Sequence, residues 1–229
     1  MIFKNNSAQF IYIWPLFFLP LNFIHAAQHT DNSVTEFSLS LQNQTTYFDF
    51  PTQTYQVKSD HIGISGYTTF SKTFQGGLEL GYIEMSQIDN TLSSAQLSSG
   101  RFFGLLLRFL PVDQAYVSIT FNLNYRYNNT ESISTNLISE FVWHESLFSS
   151  EVEIRPLETL SLILGAEYLN LSGEQRDLGN ISQVTPFTSS KDLGYRFGIN
   201  FKPYPTADIG VEWRTGHTEG GRIYFRKKY

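Results

Sequence analysis

The chain of 229 residues contains no cysteine. Disulfides, the usual support of a small exported domain with a thin core, are excluded. Charge is also scarce. Only 16% of residues are charged, with 16 Lys and Arg against 21 Asp and Glu and a net charge of −5. No basic stripe exists to neutralise phosphates, which argues against a nucleic-acid partner. Beyond residue 27 no run of 18 apolar residues occurs, so no membrane helix is available. No glycine-rich phosphate loop and no Cys/His ligand spacing is present, so no cofactor and no metal is expected. Low-complexity tracts and internal repeats are missing too.

Aromatic residues are what the chain has in quantity: 20 Phe and 13 Tyr. The first segment stands apart from the rest. Phe10–Ile24 is fifteen residues without charge, interrupted by Pro15 and Pro20 and followed by His25-Ala26-Ala27. It is short for a span and ends in small residues suited to a peptidase, so residues 1–27 read as a signal peptide. An uncleaved anchor is the alternative. The mature domain is then 28–229, and loss of Lys4 takes the net charge from −5 to −6. Five Asn-x-Ser/Thr triplets occur, as chance provides in a chain rich in those residues.

Ala115–Tyr127 alternates without a break. Val117, Ile119, Phe121, Leu123, Tyr125 and Tyr127 share one parity, and Ser118, Thr120, Asn122, Asn124 and Arg126 the other. Thirteen residues is long for a half-buried strand of a small soluble domain. It suits a strand with one face in hydrocarbon and one in a polar lumen. The pattern recurs and predicts ten strands, near Val34–Gln42, Asp60–Ser71, Gln75–Ser86, Arg101–Leu110, Ala115–Tyr127, Leu147–Pro156, Thr159–Asn170, Asp192–Lys202, Thr206–Thr215 and Gly220–Tyr229. The expected fold is all-β, a transmembrane antiparallel up-and-down barrel.

The connectors alternate as well. Ser71–Phe74, Pro111–Gln114, Pro156–Glu158 and Pro203–Pro205 are short; Asn43–Ser59, Gln87–Gly100, Asn128–Ser146 and Leu171–Lys191 are long and polar. Short turns on one side and long loops on the other are the pattern of an outer-membrane barrel. Thr135–Ser146 is open to two readings, a strand extension or a short amphipathic helix. Eight or twelve strands would follow from misreading it.

With these features the chain resembles small Gram-negative outer-membrane β-barrels of the eight- to ten-strand class. Its end, GGRIYFRKKY, resembles the terminal signal of that class through Ile223, Phe225 and Tyr229, with Lys227 departing from the pattern. The resemblance implies delivery to the barrel-assembly machinery and contact with outer-membrane lipid and lipopolysaccharide. A monomer is expected.

The inward parity carries Glu36, Glu79, Glu151, Glu153, Glu167, Asp208 and Glu212 against Arg108, Arg126, Arg155, Arg196, Lys202, Arg214, Arg222, Arg226 and Lys228. Charges in a narrow lumen are costly unless paired, so a salt-bridge network is expected. Gly63, Gly77, Gly81, Gly104, Gly165, Gly194, Gly198 and Gly210 share that parity and leave room for long side chains. The combination favours a filled lumen; a narrow charged channel is the alternative. Tyr47, Tyr82, Tyr125, Tyr127, Tyr168 and Trp213 on the lipid parity fit an aromatic girdle at the outer strand ends, and Tyr229, Phe109 and Phe201 one at the inner ends.

Chemistry is thinly signalled. His61, His144 and His217 each lie beside a carboxylate at expected outer strand ends, as Asp60-His61, His144-Glu145 and His217-Thr218-Glu219. Such a rim could activate water or bind a metal, although neighbours in a strand point to opposite faces. Omptin-like proteases and lipid A-modifying hydrolases are barrels with rim chemistry. Only Asp60-His61 hints at the first, and His217 with Glu219 lacks a serine partner for the second. The sequence points to a non-enzymatic surface protein, then a small-solute channel, then a rim hydrolase.

Overall fold

A computed structural model describes residues 35–88, 97–133, 137–179 and 182–229. The expected signal peptide lies outside these residues. Eleven strands follow one another: β1 Thr35–Asp49, β2 Thr54–Ser71, β3 Phe74–Ile88, β4 Ser98–Asp113, β5 Val117–Ile133, β6 Leu137–Leu157, β7 Leu160–Gly179, β8 Gln183–Ser189, β9 Leu193–Tyr204, β10 Ala207–Gly216 and β11 Thr218–Lys228.

All pairings are antiparallel. Ten strands close a ring in the order β1 to β7, then β9, β10, β11 and back to β1. The closing seam runs from Glu36↔Lys228 to Thr46↔Thr218. This ring is the expected ten-stranded up-and-down barrel, and closure leaves it no unpaired edge.

Alternation decides which side each residue faces. Outward Leu39, Leu80, Leu105, Leu164 and Phe197 are each about half exposed, while inward Ser40, Glu79 and Asn122 are buried. A continuous apolar outer face of this extent is incompatible with water, and lipid is the medium that accepts it. Pro111 and Pro156 sit where pairing is interrupted. Register shifts fall between Phe109 and Val112, around Pro111, and between Ile154 and Leu157, around Pro156. A residue without an N–H is tolerated there; Pro186 lies instead on short β8, opposite Glu174 of β7.

Three of the expected long loops are instead mostly strand. β1 and β2 continue to Asp49 and Thr54, leaving a tight turn closed by Phe50 N donating to Gln53 O at 3.0 Å. The helix considered for Thr135–Ser146 is replaced by strand: from Leu137 onward it is continuous β6, paired with β5 and β7. Alternate Phe141 and Trp143 face the interior, only 1% and 2% exposed, which a strand satisfies and a helix would not. In the connector after residue 171, β7 runs on to Gly179 and β8 follows. Part of the connector after Gln87 lies outside the described residues.

β8 was not expected from the sequence. It pairs with β7 over Ser172–Asp177 and with β1 at Phe48 and Asp49. These contacts lie beyond the ends of β9, β10 and β11 on the side away from the short turns. There the wall is completed by β1 to β8 alone, so a ten-strand ring narrows to eight strands.

Candidate functional site: the lumen and its outer cap

The inward side chains form two stacked zones. The lower zone is polar and ion-paired. Its recurring unit is a row of three adjacent strands carrying acid, glycine and arginine in register. Glu79, Gly104 and Arg126 form one such row. Arg126 Nη2 donates to Glu79 Oε2 at 2.9 Å across the glycine. Glu151, Gly165 and Arg196 form the second. Arg196 pairs with Glu151 and also lies 3.5 Å from Glu167 and 3.6 Å from Glu212. Strands two apart are about 10 Å apart, a gap that Glu and Arg together span only if the strand between carries no side chain.

The pairing continues around the wall. Arg108 donates to Glu36 at 3.2 Å and stacks over the Tyr67 ring at 4.0 Å. Arg226 holds Asp208 through two nitrogens, its Nε donating at 2.8 Å. Arg155 bridges Asp113 at 2.9 Å and Glu153 at 3.2 Å, and Lys202 lies 3.5 Å from Glu153. Arg214 lies 3.6 Å from Glu167, and Arg222 lies 3.9 Å from Glu212. The pairs follow the wall between nearby strands. A polar cavity of about 270 Å³ is left between them.

The upper zone holds an apolar cluster beside a few buried polar side chains, Asn128 and Thr130 among them. Phe48, Phe50, Tyr55, Val57, Ile83, Met85, Phe102, Phe141, Trp143, Leu169, Leu171 and Phe187 pack as one buried cluster inside the eight-strand part. Phe187 stacks on Phe48 at 4.5 Å and approaches Phe50 at 5.1 Å. The cavity below is lined at its upper end by Leu169 and Leu171, both members of the cluster. Trp143 Nε1 donates to Glu145 Oε1 at 2.7 Å, and Glu145 lies 3.7 Å from Arg126, so cap and network are joined. At the opposite end the cavity reaches Asp113 and Lys228, both solvent-exposed.

The three histidines do not assemble into a rim site. His61 is buried inside, 2.9 Å from Ser59 Oγ and 3.1 Å from Gln44 Nε2. Its neighbour Asp60 faces outward and accepts from Asn43 Nδ2 at 2.7 Å. His144 is on the outer face, its ring 5.2 Å from that of Tyr127 and 5.8 Å from that of Tyr125. His217 is buried inside, 3.2 Å from Glu167, not beside Glu219 as the sequence pairing assumed. Strand alternation separates adjacent residues that sequence reading had grouped. Among the described residues no group of three His, Asp or Glu is placed to hold a metal. On the outer surface above the belt, Arg176 pairs with Glu174 and lies 3.5 Å from Glu140. The Glu174 carboxylate, by hydrogen bonding, raises the Arg176 guanidinium above its ordinary pKa.

Sequence reading missed Tyr67, the inward role of Glu145 beside Arg126 and Trp143, and the whole aromatic cap. A signal was present: continuing the inward parity beyond the expected strand ends reaches Phe48, Tyr55, Val57, Phe141 and Trp143.

No family model and no curated protein matches the chain. Among solved structures it is similar to the outer membrane protease OmpT from Escherichia coli, at 8% identity over 87% of this chain and 95% of that one, TM-score 0.48. It is similar to an outer membrane channel from Pseudomonas putida F1, at 8% identity over 87% and 97%, TM-score 0.47. Neisserial surface protein A gives 8% identity over 86% and 100%, TM-score 0.43. A protease, a channel and a surface protein share this likeness, so it transfers no activity.

Proposed function

We propose that the chain is an outer-membrane surface protein with a plugged lumen, working through its outer face rather than by catalysis or as an open pore. One observation carries this reading: the aromatic cap fills the eight-strand part, with Phe141, Trp143 and Phe187 each no more than 2% exposed. Solutes entering from the turn end meet buried, mutually packed apolar side chains. The ion pairs beneath run along the wall and leave a polar cavity between them, so closure rests on the cap. A lipid-facing strand belt supports an outer-membrane address. Lipid and lipopolysaccharide are then its surroundings, the barrel-assembly machinery its route through Ile223, Phe225 and Tyr229, and the monomer its state. A rim hydrolase is disfavoured by the divergence of His61, His144 and His217.

Purified barrel reconstituted into planar bilayers tests the plug. Baseline current without sustained steps is expected. Steady stepwise conductance would overturn the reading in favour of a small-solute channel.

A further inference from the structure

The seams of the outer, eight-strand part are unequal. β5 and β6 are paired continuously from Val117↔Ile154 to Ile133↔Ile138, and β1 with β2 from Thr35↔Thr68 to Asp49↔Thr54. β8 and β1 meet in register only at Phe48↔Ser189 and Asp49↔Thr188, with Ser190 N donating to Tyr47 O at 3.0 Å. On its other side β8 is held to β7 from Ser172↔Thr188 to Asp177↔Gln183. Among the described residues the β8–β1 seam is the shortest pairing of this wall. Local opening draws on such short, sparsely bonded elements.

The same strand supplies a central part of the cap. Phe187 is the only cluster member on β8, and it packs on Phe48 and Phe50 from across the short seam. Separating β8 from β1 removes the ring that closes the aromatic stack. Beneath it lies a polar cavity that already reaches the turn end. Among the described residues the cap lies between this cavity and the outer end of the barrel.

We propose that β8 is a gate and that the barrel has a second activity, the passage of small polar solutes when β8 swings away from β1 on its β7 hinge. The path is lined by guanidinium and carboxylate groups in near balance, Arg126 with Glu79 and Arg196 with Glu151 among them. That lining suits small zwitterionic or neutral polar solutes and discriminates weakly between anions and cations. The gate rests on the plugged-lumen reading, because a lumen already open needs none.

The absence of native cysteine makes the test clean. Asp49 and Thr188 face each other in register, and paired strand residues stand about 4.5–5.5 Å apart at Cα, within the range of a disulfide. Single-barrel recordings would compare the unchanged chain, Phe187→Ala, and Phe187→Ala carrying Asp49→Cys and Thr188→Cys, in potassium chloride. Phe187→Ala is expected to raise the open fraction at least about tenfold. Oxidation of the cysteine pair should abolish those openings, and reduction restore them. Phe187→Leu, a milder packing defect, should rank between the unchanged chain and Phe187→Ala, and replaces the latter if it does not fold. Steady conductance of the unchanged chain overturns the plugged lumen and the gate with it. A folded but silent Phe187 variant, or openings that persist with the disulfide formed, overturns the gate alone.

Discussion

Arg126 and Glu79 are held 2.9 Å apart across an entire intervening strand, over the bare backbone of Gly104. The same device recurs with Arg196, Gly165 and Glu151. Inward glycine and lumenal ion pairs are thus two halves of one arrangement. The glycines are needed for their missing side chain, not for unusual backbone angles.

A side chain at Gly104 should break this arrangement. Its Cβ would sit 3.5 Å from Glu79 Cβ and Oε2 and 3.0 Å from Tyr125 O. Gly104→Leu is expected to lose about 1–3 kcal/mol through overpacking and displacement of the pair. Gly66→Ala, on the outer face with its nearest neighbour the Phe37 ring at 3.4 Å, should change stability by less than about 0.5 kcal/mol. Urea unfolding in lipid vesicles, followed by tryptophan fluorescence, separates the two. Equal losses would mean that lumen packing is not what Gly104 protects.

Arg196 is the hub of the buried charges, since Glu151, Glu167 and Glu212 all approach it. Arg196→Met leaves three carboxylates short of one cation. A loss of about 3–5 kcal/mol is expected, the usual cost of an uncompensated buried charge. The same unfolding assay measures it. A loss under about 1 kcal/mol would show that Arg214 and Arg222 take over the pairing.

The membrane belt makes a prediction of opposite geometry. Leu164 faces outward and is about half exposed to the surrounding medium. Leu164→Arg should cost about 2–4 kcal/mol in a bilayer. His144→Ala, at the aromatic level on the same outer surface, should cost less than about 1 kcal/mol. A tolerated Leu164→Arg would contradict a lipid-facing belt.

Tyr229 should matter to assembly more than to the finished barrel. Tyr229 packs edge-on against Phe37, with centroids 5.9 Å apart, and is otherwise well exposed. Tyr229→Ala should lower the amount of heat-modifiable barrel recovered from membranes several-fold. Its unfolding midpoint, once folded, should stay near that of the unchanged chain. A parallel fall in stability would assign Tyr229 a packing role instead.

Much of the architecture is legible in the residues alone, because period-two alternation is local. Leu39, Leu80, Phe103, Leu164 and Phe197 announce their outward side, and Glu79, Arg126, Arg196 and Glu212 the inward one. The strand ends are less legible. Beyond the belt the outer parity turns polar while the inner parity turns aromatic. Asn43–Ser59 and Asn128–Ser146 therefore read as loops although most of each is strand. The histidines misled for a related reason, since closeness in sequence puts Asp60 and His61 on opposite faces of one wall.

Sequence by itself determined that this chain is an alternating, lipid-facing barrel of eight to twelve strands, and which residues face lipid and which the lumen. Alternation is a property of each strand and needs no partner to be read. Only the tertiary structure decided the rest. It set Arg126 on Glu79 and His217 on Glu167, brought β8 between β7 and β1, and gathered Phe48, Trp143 and Phe187 into one cap. Those contacts depend on register and ring closure, which join residues far apart in the chain.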